Sequence, residues 1–145
     1  MPYSQLQLDK QLCHRLYMAS NGVIRAYRPL LEALDLTYPQ YVVMMALWQQ
    51  DDITIQTLLA KTAIDGGAMT LILKKMQTKQ LLSISANEDD KRKKLIRLTQ
   101  TGHALKHKAA SVPAQIQCAF PTISQQDVHT LISLLDKVCG DLNQA

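Results

Sequence analysis

No apolar run in this 145-residue chain is long enough to cross a bilayer: the longest, Tyr41 to Trp48, falls far short of the roughly 18–20 residues a span requires. The first twenty residues mix Gln, Asp, Lys and Arg and hold no signal-peptide core, so a cytoplasmic protein with no membrane partner is expected. Cysteine is scarce. The three present, Cys13, Cys118 and Cys139, form no Cys-x-x-Cys pair, which argues against a disulfide framework and against a zinc site of ordinary spacing. In a reducing compartment all three are thiols at rest. His103 and His107 stand four residues apart, but no third ligand accompanies them, so neither a metal nor a cofactor is expected. Charged residues reach only 19%, below the usual ~25%, a hint that a second subunit covers part of the surface. Repeats and low-complexity segments are missing too. What remains is a chain of one-domain length, with 47% hydrophobic residues, that can build a single core unaided.

The net charge of +4 is modest, yet it is concentrated. Residues 51–108 carry eleven basic and six acidic side chains, whereas residues 109–145 carry one and three. Between Lys74 and Lys108 ten basic residues face only Glu88, Asp89 and Asp90. A basic segment of this kind inside a folded domain is either a solvated lysine face or the electrostatic footprint of nucleic-acid binding.

Hydrophobic spacing predicts one long helix from Leu6 to Leu34, with a bend at Pro29. Thr37 to Gln40 reads as a capping box with proline in the first turn, opening a buried helix that runs to Trp48. Thr54 opens a short amphipathic helix to about Thr62, and Asp65-Gly66-Gly67 reads as a tight turn into another helix from Ala68 to Lys79. That pair is a helix-turn-helix pattern. The period then changes to that of strands over 81–85 and 94–98, with the charged tip 87–92 between them: a hairpin in the position of a wing. Thr99 or Thr101 caps a helix toward Phe120, interrupted near Pro113, and Ser124 starts a last amphipathic helix ending near Gly140. The expected fold is mainly α with a small β-hairpin wing. In this single domain, residues 35–100 form a winged helix-turn-helix core, and residues 1–34 and 101–145 form dimerisation helices whose apolar stripes a twin subunit buries.

The stretch Leu36 to Trp48, the segment Asp65 to Thr70 with Lys74-Lys75 behind it, and Asp90-Lys91-Arg92 ahead of Ile96-Arg97-Leu98-Thr99 resemble the MarR family of bacterial transcription regulators over nearly the whole chain. Leu12-Cys13, the run Ala26 to Leu31 and the run Thr37 to Tyr41 are similar to its organic-hydroperoxide-sensing branch, the two-cysteine OhrR-type repressors. The resemblance implies a homodimer on a pseudo-palindromic, A·T-rich DNA operator, with an organic hydroperoxide as inducer. It implies that Cys13 is the redox sensor, that Tyr17, Tyr27 and Tyr38 surround it, and that Cys118 is the resolving cysteine of the other subunit; Cys139, by its place one residue before Gly140, is a spare thiol or a rival for that role. It also implies that the helix after Asp65 enters the major groove, with Gly66, Ala68 and Thr70 near base edges and Lys74 and Lys75 on phosphates. Lys91 and Arg92 would occupy the wing tip, with Asp90 supporting Arg92. Gly66 and Ala68 stand where this branch often has hydroxyl-bearing residues, and Ser83 and Ser85 leave the first wing strand without basic ones.

Elementary chemistry bears on those roles. A sensing thiol needs thiolate character and access, and phenolic hydroxyls can stabilise the sulfur without adding a charge. Tyr17 lies one helical turn from Cys13. Tyr27 is fourteen residues on, about 21 Å along a straight helix, so it serves the thiol of its own chain only if the chain bends back; otherwise it serves the partner's. Three other readings stay open: a MarR-type regulator with a small aromatic ligand, a thiol peroxidase using Cys13 and Cys118, and a DNA-architectural protein without a switch. A regulator has no need of turnover, so no enzyme is expected.

Overall fold

The computed structural model describes residues 2–90 and 92–143, in two compact units, Met1–Val112 and Pro113–Ala145. In the first unit the expected long helix starts late. Two 3-10 turns, Ser4–Leu6 and Leu8–Lys10, precede α1 (Leu12–Glu32), and the Gln11 side-chain Nε2 folds back to donate to the Gln5 and Gln7 carbonyls at 2.9 and 2.8 Å. Pro29 lies in the last turns of α1, which closes in a Schellman motif: Asp35 takes the left-handed conformation (φ 53°) and the Leu36 amide donates to Leu31 O at 3.1 Å.

α2 (Tyr38–Gln49) opens as its sequence predicts. Gln40 N donates to Thr37 Oγ1, Thr37 N donates to Gln40 Oε1, and Pro39 occupies the first turn where no amide is needed. Apolar on nearly every side, α2 is the central element, with Tyr41, Val43, Met44, Ala46 and Leu47 buried. Next come β1 (Ile53–Thr54), α3 (Ile55–Thr62), capped by Thr54 Oγ1 accepting from Thr57 N, and α4 (Gly66–Thr78). The connection between α3 and α4 differs from the expected glycine turn. Its left-handed residue is Ala63 (φ 57°), while Asp65 is the N-cap and Gly66 and Gly67 are already helical, neither with positive φ. The diglycine belongs to the first turn of α4.

β2 (Leu82–Ala86) and β3 (Lys94–Leu98) pair antiparallel with Leu82 opposite Leu98 and Ile84 opposite Ile96. The first strand lies one residue later than its spacing predicts. β1 joins the other side of β3, with Ile53 opposite Ile96, so the hairpin is part of a three-stranded sheet in the order β1-β3-β2. Two residues of β1 were too short a run to read as a strand. Leu47, Leu58, Met69, Leu73, Met76, Leu82 and Ile96 make one buried cluster. Over it α5 (Gln100–Ala109) is fixed by its cap, Thr99, and by the Trp48 indole, which donates to Gly102 O at 3.0 Å. The helix interruption falls at Ala110 and Ser111, and Pro113 is the second residue of α6 (Val112–Gln117).

In the second unit α7 (Gln125–Asn143) starts on a reciprocal cap, Ser124 N to Asp127 Oδ2 at 3.0 Å and Asp127 N to Ser124 Oγ at 3.1 Å. It does not stop near Gly140: the glycine is helical, so Cys139 lies within the helix and not at its end. α7 buries none of its described residues, and Leu131, Ile132 and Leu134 are each about half exposed.

Candidate nucleic-acid interface and thiol site

The roll of α4 about its own axis is set by Met69, Leu73 and Met76, buried at i, i+4 and i+7. The opposite side, with Gly67, Leu71, Lys74, Lys75 and Thr78, is exposed. Asp65 Oδ2 accepts from Gly67 N at 3.1 Å and Ala68 N at 3.4 Å, so the first-turn amides already have an acceptor. The Thr70 hydroxyl donates back to Gly66 O at 3.1 Å. Beside this face a cleft of about 320 Å³ is lined by Ile55, Thr70, Lys74 and Gln77 together with Ile84 and Lys94 of the wing.

The wing tip is a set of local turns. Asn87 Oδ1 accepts from Asp89 N at 2.9 Å, Asn87 N donates to Lys93 O at 2.7 Å, and Asp90 Oδ1 accepts from Arg92 N at 3.0 Å. Asp90 thus holds Arg92 through its backbone, and no ion pair joins the two side chains among the described residues. Lys91 lies outside the described residues. The base of the wing is held by two acids that sequence reasoning did not single out. Asp51 accepts from Leu98 N at 2.9 Å and meets His103 Nε2 at 3.1 Å, and Asp52 pairs with Arg97 at 3.0 Å. Their adjacency after α2 was visible; what they reach across the fold was not.

On α1, Cys13 is exposed, with Tyr17 one turn on, 65% exposed and stacked at 6.3 Å on His14. Tyr27 and Tyr38 do come together, with ring centroids at 4.9 Å, but with Tyr41 as a third member at 5.7 Å from Tyr27 and 6.4 Å from Tyr38. The i, i+3 spacing of Tyr38 and Tyr41 on α2 was the signal for it. Burial, then the neighbouring phenols Tyr38 and Tyr41, push the Tyr27 hydroxyl above its ordinary value of 10.0, and burial followed by Tyr38 does the same for Tyr41. Both phenols are therefore neutral donors at neutral pH. Tyr17 stands apart from this trio, separated from Tyr27 by ten residues of the same helix, about 15 Å. Cys118 and Cys139 are exposed thiols of the second unit. Among the described residues no group of three His, Cys, Asp or Glu side chains could hold a metal ion, and no helix is long and apolar enough to cross a membrane.

A helix-turn-helix backed by a three-stranded wing, with lysines on the outward face of its second helix, defines a winged-helix protein. The family model for the transcriptional regulator SarA/Rot matches residues 25–109. The organic hydroperoxide resistance transcriptional regulator of Bacillus subtilis (strain 168) is 34% identical over 142 residues, 98% of this chain and 96% of that protein. Two solved structures are similar throughout. BpsR of Bordetella bronchiseptica, whose DNA binding is regulated by 6-hydroxynicotinic acid, has a TM-score of 0.84 at 26% identity, over 92% of this chain and 96% of its own. A mutant of MarR from E. coli complexed with operator DNA has a TM-score of 0.79 at 27% identity, over 88% and 92%. The chain belongs to the MarR family of winged-helix transcriptional regulators, in its OhrR-type branch.

Proposed function

We propose that this protein is a homodimeric, DNA-binding repressor that leaves its operator when an organic hydroperoxide oxidises Cys13. The outward face of α4, with Lys74 and Lys75, carries the DNA-binding half of the reading. Its phosphate contacts come from lysines on a helix whose roll the core fixes, and Arg92 reaches the adjacent minor groove. Dimerisation follows from the apolar faces: α7 with no buried residue, and Leu12 and Tyr17 of α1 open to solvent, are covered by a second copy, which gives a pseudo-palindromic site its symmetry.

The redox half rests on the exposed Cys13 with a phenol one turn away, on a chain whose relative in Bacillus subtilis is an organic hydroperoxide resistance regulator. The Cys13 thiolate attacks the peroxide O–O bond; an S–O bond forms, the sulfur gives up two electrons, and the alkoxide leaves and is protonated to the alcohol. The partner subunit's Cys118 then attacks the sulfenic sulfur, forming the disulfide and releasing water. Tyr27 is too far along α1 to serve its own Cys13, so with Tyr38 it completes the pocket of the partner's thiol.

A gel-shift titration with an alkyl hydroperoxide tests this. Wild-type protein is released and is restored by dithiothreitol, while Cys13→Ser protein stays bound. Equal release of both proteins would sink the redox step. A second reading is favoured by one observation: the half-enclosed cleft of about 330 Å³ lined by Ile24, Arg28, Leu31, Glu32, Leu36 and Tyr38 has the size and apolar walls for a small aromatic ligand, and BpsR responds to one. Release by such a ligand, reversed by dialysis and indifferent to dithiothreitol, would decide for it.

A further inference from the structure

The opening of α4 is nearly devoid of hydrogen-bonding side chains. From Gly66 to Leu73 the sequence is Gly-Gly-Ala-Met-Thr-Leu-Ile-Leu, and the hydroxyl of its one polar residue, Thr70, already donates to Gly66 O. Arginine, asparagine and glutamine, which read guanine and adenine edges by paired hydrogen bonds, are missing from these two turns. What projects instead is Leu71. At 100° per residue it lies almost diametrically opposite the buried Met69 and Leu73, and it is 63% exposed, a bare leucine on a face otherwise made of glycine, threonine and lysine. One turn before it stands Gly67. Side chains on a helix lean toward its N-terminus, so Leu71 extends over a residue that has no side chain to stop it, toward the end of the helix that enters the groove.

We infer that Leu71 is a specificity-determining residue that recognises the C5-methyl group of a thymine in each half-site by apolar contact. This rests on the DNA-binding reading given above and adds how the sequence is read. The occupant of this face is duplex DNA because Lys74 and Lys75 supply the positive charge on the same side, and thymine is the base whose major-groove edge carries an apolar group. Gly66 takes no part through a side chain. A Cβ built there meets nothing within 4 Å, so the position is open and not closed by packing.

The test starts from the full chain and a pool of randomised duplexes, from which bound sequences are selected and aligned. Each thymine of the selected site is then replaced singly by deoxyuridine, which removes the methyl group and nothing else. One replacement per half-site is expected to weaken wild-type binding about fourfold, the equivalent of one methyl group returned to water, and to leave Leu71→Ala unaffected. Leu71→Ala, which loses the contact in both half-sites of the homodimer, is expected to bind the unmodified site about sixteenfold less tightly while keeping the same salt dependence. If deoxyuridine is neutral for wild type at every position, or acts equally on wild type and Leu71→Ala, the inference is overturned while DNA binding stands. If no sequence is enriched and no duplex is bound, DNA binding itself fails and this inference with it.

Discussion

Gly102→Ala is expected to destabilise the protein although it adds one methyl group and improves helix propensity. Gly102 is the third residue of α5, where its amide donates to the Thr99 cap at 3.0 Å and its carbonyl accepts from the Trp48 indole at 3.0 Å. A Cβ at this position would stand 2.1 Å from Leu81 O, where real Cβ atoms essentially never come within 3.0 Å, and 3.1 Å from Leu98 Cδ2. The oxygen is backbone and is itself held, accepting from Thr99 N at 3.1 Å, while Leu81 N donates to Met76 O at 3.1 Å. The strain is therefore relieved by moving the start of α5 off the end of α4, which also pulls Gly102 O from Trp48. Overpacking of this kind costs about 1–3 kcal/mol and the lost indole bond about 1 kcal/mol. The gain of alanine over glycine in a helix offsets about 1 kcal/mol. A net loss of about 2 kcal/mol corresponds to a fall in Tm of roughly 4–8 °C for a chain of this size. Thermal unfolding followed by circular dichroism, at one fixed protomer concentration, measures it. A Tm unchanged or raised would show that the approach of α5 to Leu81 is not as tight as described.

Lys74→Ala, which removes one phosphate contact from each subunit of the dimer, is expected to weaken binding to every duplex by a similar factor and to reduce the slope of log K against log salt by about 1.8; an unchanged slope would take Lys74 off the phosphates. Ala63→Gly, at the left-handed residue between α3 and α4, is expected to stabilise by about 0.5 kcal/mol, the relief of the left-handed penalty less the added entropy of glycine in the unfolded chain. The urea midpoint should rise at constant m, and a lower midpoint would contradict the assigned turn. Tyr27 and Tyr41 release their protons above 10.0 when folded, so the unfolded chain ionises first. Their contribution is whole below pH 10.0 and is lost as pH rises through the folded values. In an ultraviolet titration, Tyr27→Phe and Tyr41→Phe should each lose an ionisation that lies above 10.0, and loss of one at or below 10.0 would refute the burial argument.

What could be read from the chain beforehand was whatever local chemistry decides. The Thr37-x-x-Gln40 box, the Thr54 and Thr99 caps and the strand 94–98 stand where short-range spacing puts them, because each depends on residues within four positions. Readings failed where a residue type has two uses. Gly66-Gly67 looked like a turn, but Asp65 caps so well that both glycines enter the helix and the turn falls to Ala63, an alanine in a conformation its Cβ disfavours. Gly140 looked like a stop, yet it is helical and α7 runs on to Asn143. The site divided in the same way. Lys74, Lys75 and Arg92 were legible as charges at helical and hairpin positions. Tyr41 of the aromatic trio was legible only as far as its i, i+3 spacing from Tyr38, whereas Asp51 and Asp52 under the wing work through partners in other elements, which no local spacing reveals.

The proposed redox switch requires that a change beside α1 reach α4, and one set of contacts in the first unit is continuous between them. Tyr27 packs on Tyr38 at the start of α2; two residues on, the buried Gln40 side chain accepts both the Thr37 amide and Lys79 Nζ, and Lys79 is the C-cap of α4, also donating to Asp35 O after α1. Continuity alone is not coupling, which needs an element whose arrangement both ends bias. Lys79 is the element to test because it is the one polar link among these contacts that can be cut without touching the Thr37–Gln40 cap or the outward face of α4. Lys79→Met keeps the length and apolar stem of the side chain and removes its three donors. If the link carries the signal, the variant binds DNA when reduced but loses most of the difference in affinity between reduced and peroxide-treated protein. A ratio equal to that of wild type would mean that oxidation acts on the spacing of the two α4 helices through the dimer interface alone, without passing through the body of either subunit.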